Sequence, residues 1–117
     1  MIGSAGSDDK VDYLINTIGI DAAFNYKTQN TREQLSKIAK DGLDIYFDLV
    51  GGKVFDIALE KLKPHGQIMT LGNMAESSAK VPYTIKNMAL LIRKSASIHG
   101  LSAFHHLNKF SLLWEKF

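Results

Sequence analysis

The chain has 117 residues, of which 45% are hydrophobic and 22% charged, so it is apolar enough for one core and too short for two ordinary domains. Fourteen basic residues stand against twelve acidic ones, a net charge of +2, which is too balanced for an electrostatic footprint on nucleic acid. Cysteine is absent, which excludes disulfides, thiolate zinc sites, iron–sulfur clusters and cysteine nucleophiles.

The longest aliphatic run, Met88 to Ile92, is far below the roughly 20 residues of a membrane span. Neither a basic n-region nor an apolar h-region opens the sequence. A soluble, cytoplasmic domain is the expectation.

Met1 to Ala5 reads as a strand. Ser7 is placed to cap a helix, with Asp8 and Asp9 in its first turn, where the dipole favours carboxylates. Val11, Leu14, Ile15 and Ile18 recur on one helical face, and Gly19 fits the position just past its end. Ala22 to Tyr26 is a short strand. Thr31-Arg32-Glu33-Gln34 has the T-x-x-Q form of a capping box and opens a helix through Leu35, Ile38 and Ala39.

Leu43 to Val50 is continuously apolar enough to predict a strand buried on both faces. Val54, Phe55, Ala58, Leu59 and Leu62 predict a helix ending before the turn Pro64-His65-Gly66, and Gln67 to Leu71 the next strand. Asn73 to Pro82 reads as a loop. Ile85, Met88, Ala89 and Ile92 predict a helix with Arg93 and Lys94 at its negative end. Ala96 to Ala103 reads as a last strand, and Leu107, Phe110, Leu113 and Trp114 as a final helix. Strict alternation of strand and helix implies an α/β domain, a doubly wound parallel sheet that binds ligands beyond the carboxyl ends of its strands. A start on a strand and an end inside a helical pattern are what a piece of a longer protein would show.

No complete catalytic motif is present: no G-x-G-x-x-G, phosphate loop, G-x-S-x-G or H-E-x-x-H. Lys10 lies just past the first strand, where a dinucleotide-binding sheet meets the adenosine ribose and a cation would select a 2′-phosphate. By position alone a solvated helix-face lysine is the plainer reading, and Asp8 and Asp9 would repel a phosphate unless they point away. His65, His99, His105 and His106 lack the helical spacing of a zinc site. Asp48 ends its strand either as a ligand contact or as a buried cap of a loop. Tyr26 could pack on a nucleotide or serve as a rim aromatic.

Four segments in order, AGSDDK, DAAFNYKT, DGLDIYFDLVGGKVFD and LKPHGQIMTLGNMA, resemble the medium-chain dehydrogenase/reductase superfamily, and within it the NADP-dependent alkenal/enone reductases that include the prostaglandin and leukotriene reductases. The resemblance covers residues 1 to about 104. It implies a Rossmann-like domain that holds NADP(H), in a zinc-independent enzyme that reduces the C=C bond of α,β-unsaturated aldehydes and ketones. It points to Lys10 at the 2′-phosphate and Tyr26 beside it. Leu71, Gly72 and Asn73 stand in the loop that passes the cofactor, and Leu101 and Ser102 in the segment that reaches the nicotinamide. It implies a homodimer joined through the last strand, around Ile98 to Ala103.

Typical members read FDNVGG where this chain has Leu49, and CGAIS where it has Leu71-Gly72-Asn73-Met74-Ala75. Their catalytic domain and their first, central strand with its A-x-x-G-x-V-G turn have no counterpart in residues 1–117. The expectation is therefore a partial NADP-binding domain that, alone, binds NADPH weakly or not at all and transfers no hydride. Two alternatives stay open. Phe47-Asp48-Leu49-Val50 followed by Leu62-Lys63-Pro64-His65-Gly66 also resembles the late half of an S-adenosylmethionine-dependent methyltransferase. A non-catalytic truncated relative is favoured by Leu49.

Overall fold

The structure is a computed structural model that describes residues 1–77 and 79–107; the side chains of residues 75 and 76 are not described. The chain divides into two compact units, the first spanning Met1–Leu43 and the second starting at Asp44.

In the first unit, β1 (Ile2–Ala5) and β2 (Ala22–Asn25) pair in parallel, with Ile2 opposite Ala22 and Ala5 opposite Asn25. Between them runs α1 (Asp8–Tyr13), which passes into a wider π-type turn over Leu14–Ile18. The expected helix face thus exists, but its second half is underwound. Gly19 ends it in the left-handed conformation at φ 78°, as its position predicted, and sends the chain back toward β2. Ser7 has extended backbone before α1, but its side chain accepts no capping hydrogen bond. α2 (Thr31–Ile38) is capped by Asn30, not by Thr31: the Asn30 side chain accepts from the N–H groups of Arg32 and Glu33 at 3.0 and 3.3 Å. Ile20, Phe24, Leu35 and Ala39 are the buried apolar residues of this unit.

In the second unit, β3 (Leu43–Asp48), β4 (Leu62–Thr70) and β5 (Ser97–Gly100) form a sheet in that order. β4 and β5 are parallel, from Gln67 opposite Ser97 to Thr70 opposite Gly100. α3 (Gly52–Lys61), α4 (Met74–Ser77) and α5 (Ala89–Lys94) complete it. α3 is the central helix: Phe55, Ile57, Ala58 and Leu59 are buried on it, as are Leu62 and Ile68 on β4.

Four expectations need correction. β3 stops at Asp48 and is not buried on both faces: Ile45, Phe47 and Leu49 are 54%, 64% and 54% exposed. Alternate residues of a strand face opposite ways, and only the side of Tyr46 and Asp48 is packed against the unit. β4 starts at Leu62, so Pro64-His65-Gly66 lies within the strand, with a kink where His65 takes φ 64°. The helix expected from Ile85 begins only at Ala89, because the backbone N–H groups of Lys86 and Asn87 are bound to the carboxylate of Asp56. β5 ends at Gly100, and residues Ala103–His106 form a 3₁₀ turn. The final helix expected from Leu107 to Trp114 lies outside the described residues after Leu107.

Arg93 and Lys94 stand in the last turn of α5, as the sequence predicts. The Lys94 ammonium also donates to the carbonyls of Leu59, Glu60 and Leu62 at 3.1, 2.6 and 2.7 Å, closing the C-terminus of α3. Burial, and then repulsion by Lys61, holds its pKa below the usual lysine value.

Candidate functional site

In the first unit, the carboxyl ends of β1 and β2 lie side by side. The N–H of Tyr26 donates to the carbonyl of Ala5 at 3.1 Å, which carries the parallel pairing one residue beyond β2. Tyr26 is 44% exposed and leans over Gly6: a Cβ on Gly6 would stand 3.0 Å from the Tyr26 hydroxyl and 3.1 Å from Cε of Lys27. Only a residue without a side chain leaves that cradle open.

Asn25 is buried and ties this corner together. Its amide N–H donates to Oδ1 of Asp8 at 2.7 Å, and its own Oδ1 accepts from the N–H of Lys27 at 3.0 Å. The repulsion expected from Asp8 is thereby answered in part, since that carboxylate is turned to a neutral donor on β2. Lys10 is exposed on α1, and its ammonium has no hydrogen-bond or ionic partner among the described residues.

In the second unit, Asp48 organises the candidate loop. Its Oδ1 accepts from the N–H groups of Val50 and Gly51 at 3.2 and 2.9 Å and from the hydroxyl of Tyr46 at 3.3 Å. It is a buried cap of the turn into α3, the plainer of its two readings. The backbone carbonyl of Asp48 receives the N–H groups of Leu71 and Gly72 at 2.8 and 3.2 Å, and that of Leu49 receives Met74 at 3.3 Å. Gly72 has to be small, because a Cβ there would stand 3.0 Å from the carbonyl oxygen of Leu49. Asn73 packs its side chain against Gly51.

Leu101 donates its N–H to the carbonyl of Thr70 at 2.9 Å, so Leu71 and Leu101 leave the sheet as neighbours. Ser102 follows, exposed, and its carbonyl accepts from the N–H of His105 at 3.2 Å. Thr70, at the same strand end, has a buried hydroxyl with no hydrogen-bond partner among the described residues. The structure therefore gathers Lys10 and Tyr26 at one pair of strand ends, and Leu71, Gly72, Asn73, Leu101 and Ser102 at another. Sequence reasoning passed over Gly6 and Lys27, although the lysine stands inside the FNYKT motif.

Tyr46 gives the loop a measurable alkaline limit. Burial first, and then the charge and hydrogen bond of Asp48, push its phenol well above the usual tyrosine range. The unfolded chain releases this proton near pH 10 while the folded chain keeps it, so stability is complete below that pH and falls above it. The urea midpoint should decline as pH rises past about 10, and Tyr46→Phe should flatten that decline. An unchanged slope in the variant would refute the assignment.

The zinc-binding dehydrogenase family model matches residues 1–117. The (+)-pulegone reductase of Mentha piperita is 38% identical over 110 residues, which is 92% of this chain and 32% of that protein. The NADP(+)-dependent 2-alkenal reductase of Nicotiana tabacum is 37% identical over 107 residues, 91% of this chain and 31% of that one. The crystal structure of CurA from Vibrio vulnificus in complex with NADPH superimposes with a TM-score of 0.80 at 30% identity, covering 98% of this chain and 37% of CurA. The chain thus spans about a third of the length of the curated relatives it matches. The methyltransferase alternative finds no support among these matches.

Among the described residues no set of side chains fits a zinc ion. The sequence has no cysteine, and the described residues contain no group of three or more metal-ligating side chains. No helix among them is long and apolar enough to cross a membrane. By fold and sequence alike, this chain belongs to the zinc-binding dehydrogenase family of the medium-chain dehydrogenase/reductase superfamily, and its relatives include that superfamily's NADP-dependent enone and alkenal reductases.

Proposed function

We propose that residues 1–117 are the NADP(H)-binding portion of an oxidoreductase that reduces the C=C bond of α,β-unsaturated aldehydes or ketones, with the catalytic domain elsewhere in the longer protein. The observation that carries this is the corner at the ends of β1 and β2, where an unpartnered Lys10 ammonium accompanies the open cradle of Gly6 under Tyr26. NADP(H) fits this corner chemically. Lys10 would meet the 2′-phosphate, with Tyr26 beside it. For the second unit taken by itself, the same reading assigns Leu71, Gly72 and Asn73 to a loop that lines a cofactor and Leu101 and Ser102 to the segment nearest a nicotinamide. Bound NADPH would supply the hydride for the enone.

The names of the reductases from Mentha and Nicotiana and the NADPH complex of CurA support this reading. So does the exposed apolar surface of Leu71 and Leu101, suited to the rim of a site for an apolar enone. A homodimer joined around Ile98 to Ala103 belongs to the same reading, since β5 is the end strand of its sheet. A cytoplasmic location is part of it as well, in keeping with a chain that has no cysteine to oxidise.

The test is a titration with adenosine 2′,5′-bisphosphate and with adenosine 5′-monophosphate, followed by ligand-observed NMR. The chain should prefer the bisphosphate. Lys10→Ala should cost a charge-assisted hydrogen bond, roughly ten- to a hundredfold in affinity for the bisphosphate, and leave the monophosphate unchanged. Equal binding of both nucleotides by the unaltered chain would reject the proposal.

A further inference from the structure

We infer that Lys27 is a second cation for the 2′-phosphate, acting with Lys10 to set the preference for NADP(H) over NAD(H). This rests on the proposed NADP(H) site and adds a specificity-determining residue to it.

The geometry comes from the turn after β2. Lys27 is exposed, yet its side chain does not run straight into solvent: its Cε lies 3.1 Å from where a Cβ of Gly6 would be. The stem is folded back over the turn between β1 and α1, beside the hydroxyl of Tyr26, which lies 3.0 Å from the same point. The backbone of the turn that carries it is anchored. The N–H of Lys27 donates to Oδ1 of Asn25 at 3.0 Å, and the buried Asn25 is itself locked to Asp8. The ammonium is one bond beyond Cε, and it has no hydrogen-bond or ionic partner among the described residues.

Charge supplies the second argument. The first turn of α1 carries Asp8 and Asp9, and the Asn25 contact orients the first without removing its charge. Lys10 alone would leave this corner with two carboxylates against one ammonium. A phosphate of nearly two negative charges would then meet a net negative site, and association would be opposed. Lys27 brings the count to two against two before the ligand arrives. Lys10 projects from α1 and Lys27 from the end of β2, so the cations come from two elements, as suits a phosphate with several acceptor oxygens.

The experiment uses the same two nucleotides on the whole chain. Lys27→Met keeps the apolar stem over Gly6 and removes only the charge. It should weaken adenosine 2′,5′-bisphosphate about tenfold, leave adenosine 5′-monophosphate unchanged, and flatten the salt dependence of bisphosphate binding. Lys27→Arg should restore both affinity and salt dependence. If Lys27→Met binds the bisphosphate as well as the unaltered chain while Lys10→Ala does not, Lys27 is a surface lysine and the inference falls alone. If the unaltered chain shows no preference for the bisphosphate, the NADP(H) reading falls and the inference with it.

Discussion

Asp56→Ala should lower the stability of the second unit by about 3 kcal/mol, read as a fall of about 2 M in the urea midpoint. Asp56 is 4% exposed on α3, and its carboxylate is fully engaged. Oδ2 accepts from the Tyr83 hydroxyl at 2.6 Å, and Oδ1 accepts from the N–H groups of Lys86 and Asn87 at 3.1 and 3.2 Å. One side chain thus holds the stretch that leads into α5, and the Asn87 side chain adds a bond to Oε1 of Glu60 at 2.7 Å. Alanine removes the acceptor of three donors at once and leaves them to whatever water can reach them. Asp56→Asn should cost less, about 1 kcal/mol, because its amide oxygen can keep the two backbone donors. Amide hydrogen exchange at Lys86 and Asn87 should accelerate in the alanine variant and much less in the asparagine one. If the two variants unfold at the same midpoint as the unaltered chain, Asp56 does not anchor this stretch.

Gly51→Ala comes next, at about 3 kcal/mol, for a different physical reason. Gly51 has φ 71° and ψ −157°, a region that is essentially reserved for glycine and costs other residues about 1–3 kcal/mol. A Cβ there would also run into the side chain of Asn73. The strain cannot be relieved cheaply, since the N–H of Gly51 is held by Oδ1 of Asp48 at 2.9 Å. Two other glycines serve as controls. Gly19 has φ 78° with nothing within 4 Å of a Cβ, so Gly19→Ala should show strain alone, about 1 kcal/mol. Gly100 has open space and an ordinary φ, so Gly100→Ala should be neutral or slightly stabilising. The difference between Gly51→Ala and Gly19→Ala combines the less accessible backbone region of Gly51 with the collision with Asn73. Equal costs for these two variants would mean that neither adds to the strain of an ordinary left-handed position.

These two residues bear on function through position. Asp48, Gly51 and Asn73 hold the loop of Leu71 and Gly72 against the end of β3, while Asp56 fixes the chain that follows it. A side-chain collision at Gly51 is transmitted directly to Asn73, one of the residues proposed to border the cofactor. Losses of stability at Gly51 should therefore accompany a loss of nucleotide affinity, and losses at Gly19 should not.

The amino-acid sequence by itself determined the α/β class, the order of the five strands and the family, but not α4, which forms at Met74–Ser77 where the sequence predicts a loop. Alternating apolar runs, the left-handed glycine at Gly19 and the spaced FNYKT and VGG motifs are local or collinear signals, and these need no knowledge of what packs where. Tertiary structure decided the rest. Leu43 to Val50 has the composition of a buried strand, yet only its Tyr46 and Asp48 face is packed and Ile45 and Phe47 stand in solvent. The residues before Ala89 have a helical pattern, yet Asp56, some 30 positions earlier, takes their N–H groups for itself. Lys94 sits at the end of α5, yet closes α3. In the candidate site, Lys10 and Tyr26 were legible because a motif carries them, whereas the role of Lys27 depends on its stem folding back over Gly6, 21 positions away in sequence. Periodicity reports which face a residue would like to bury. Only the long-range hydrogen bonds and the packing of each strand face decide whether it does.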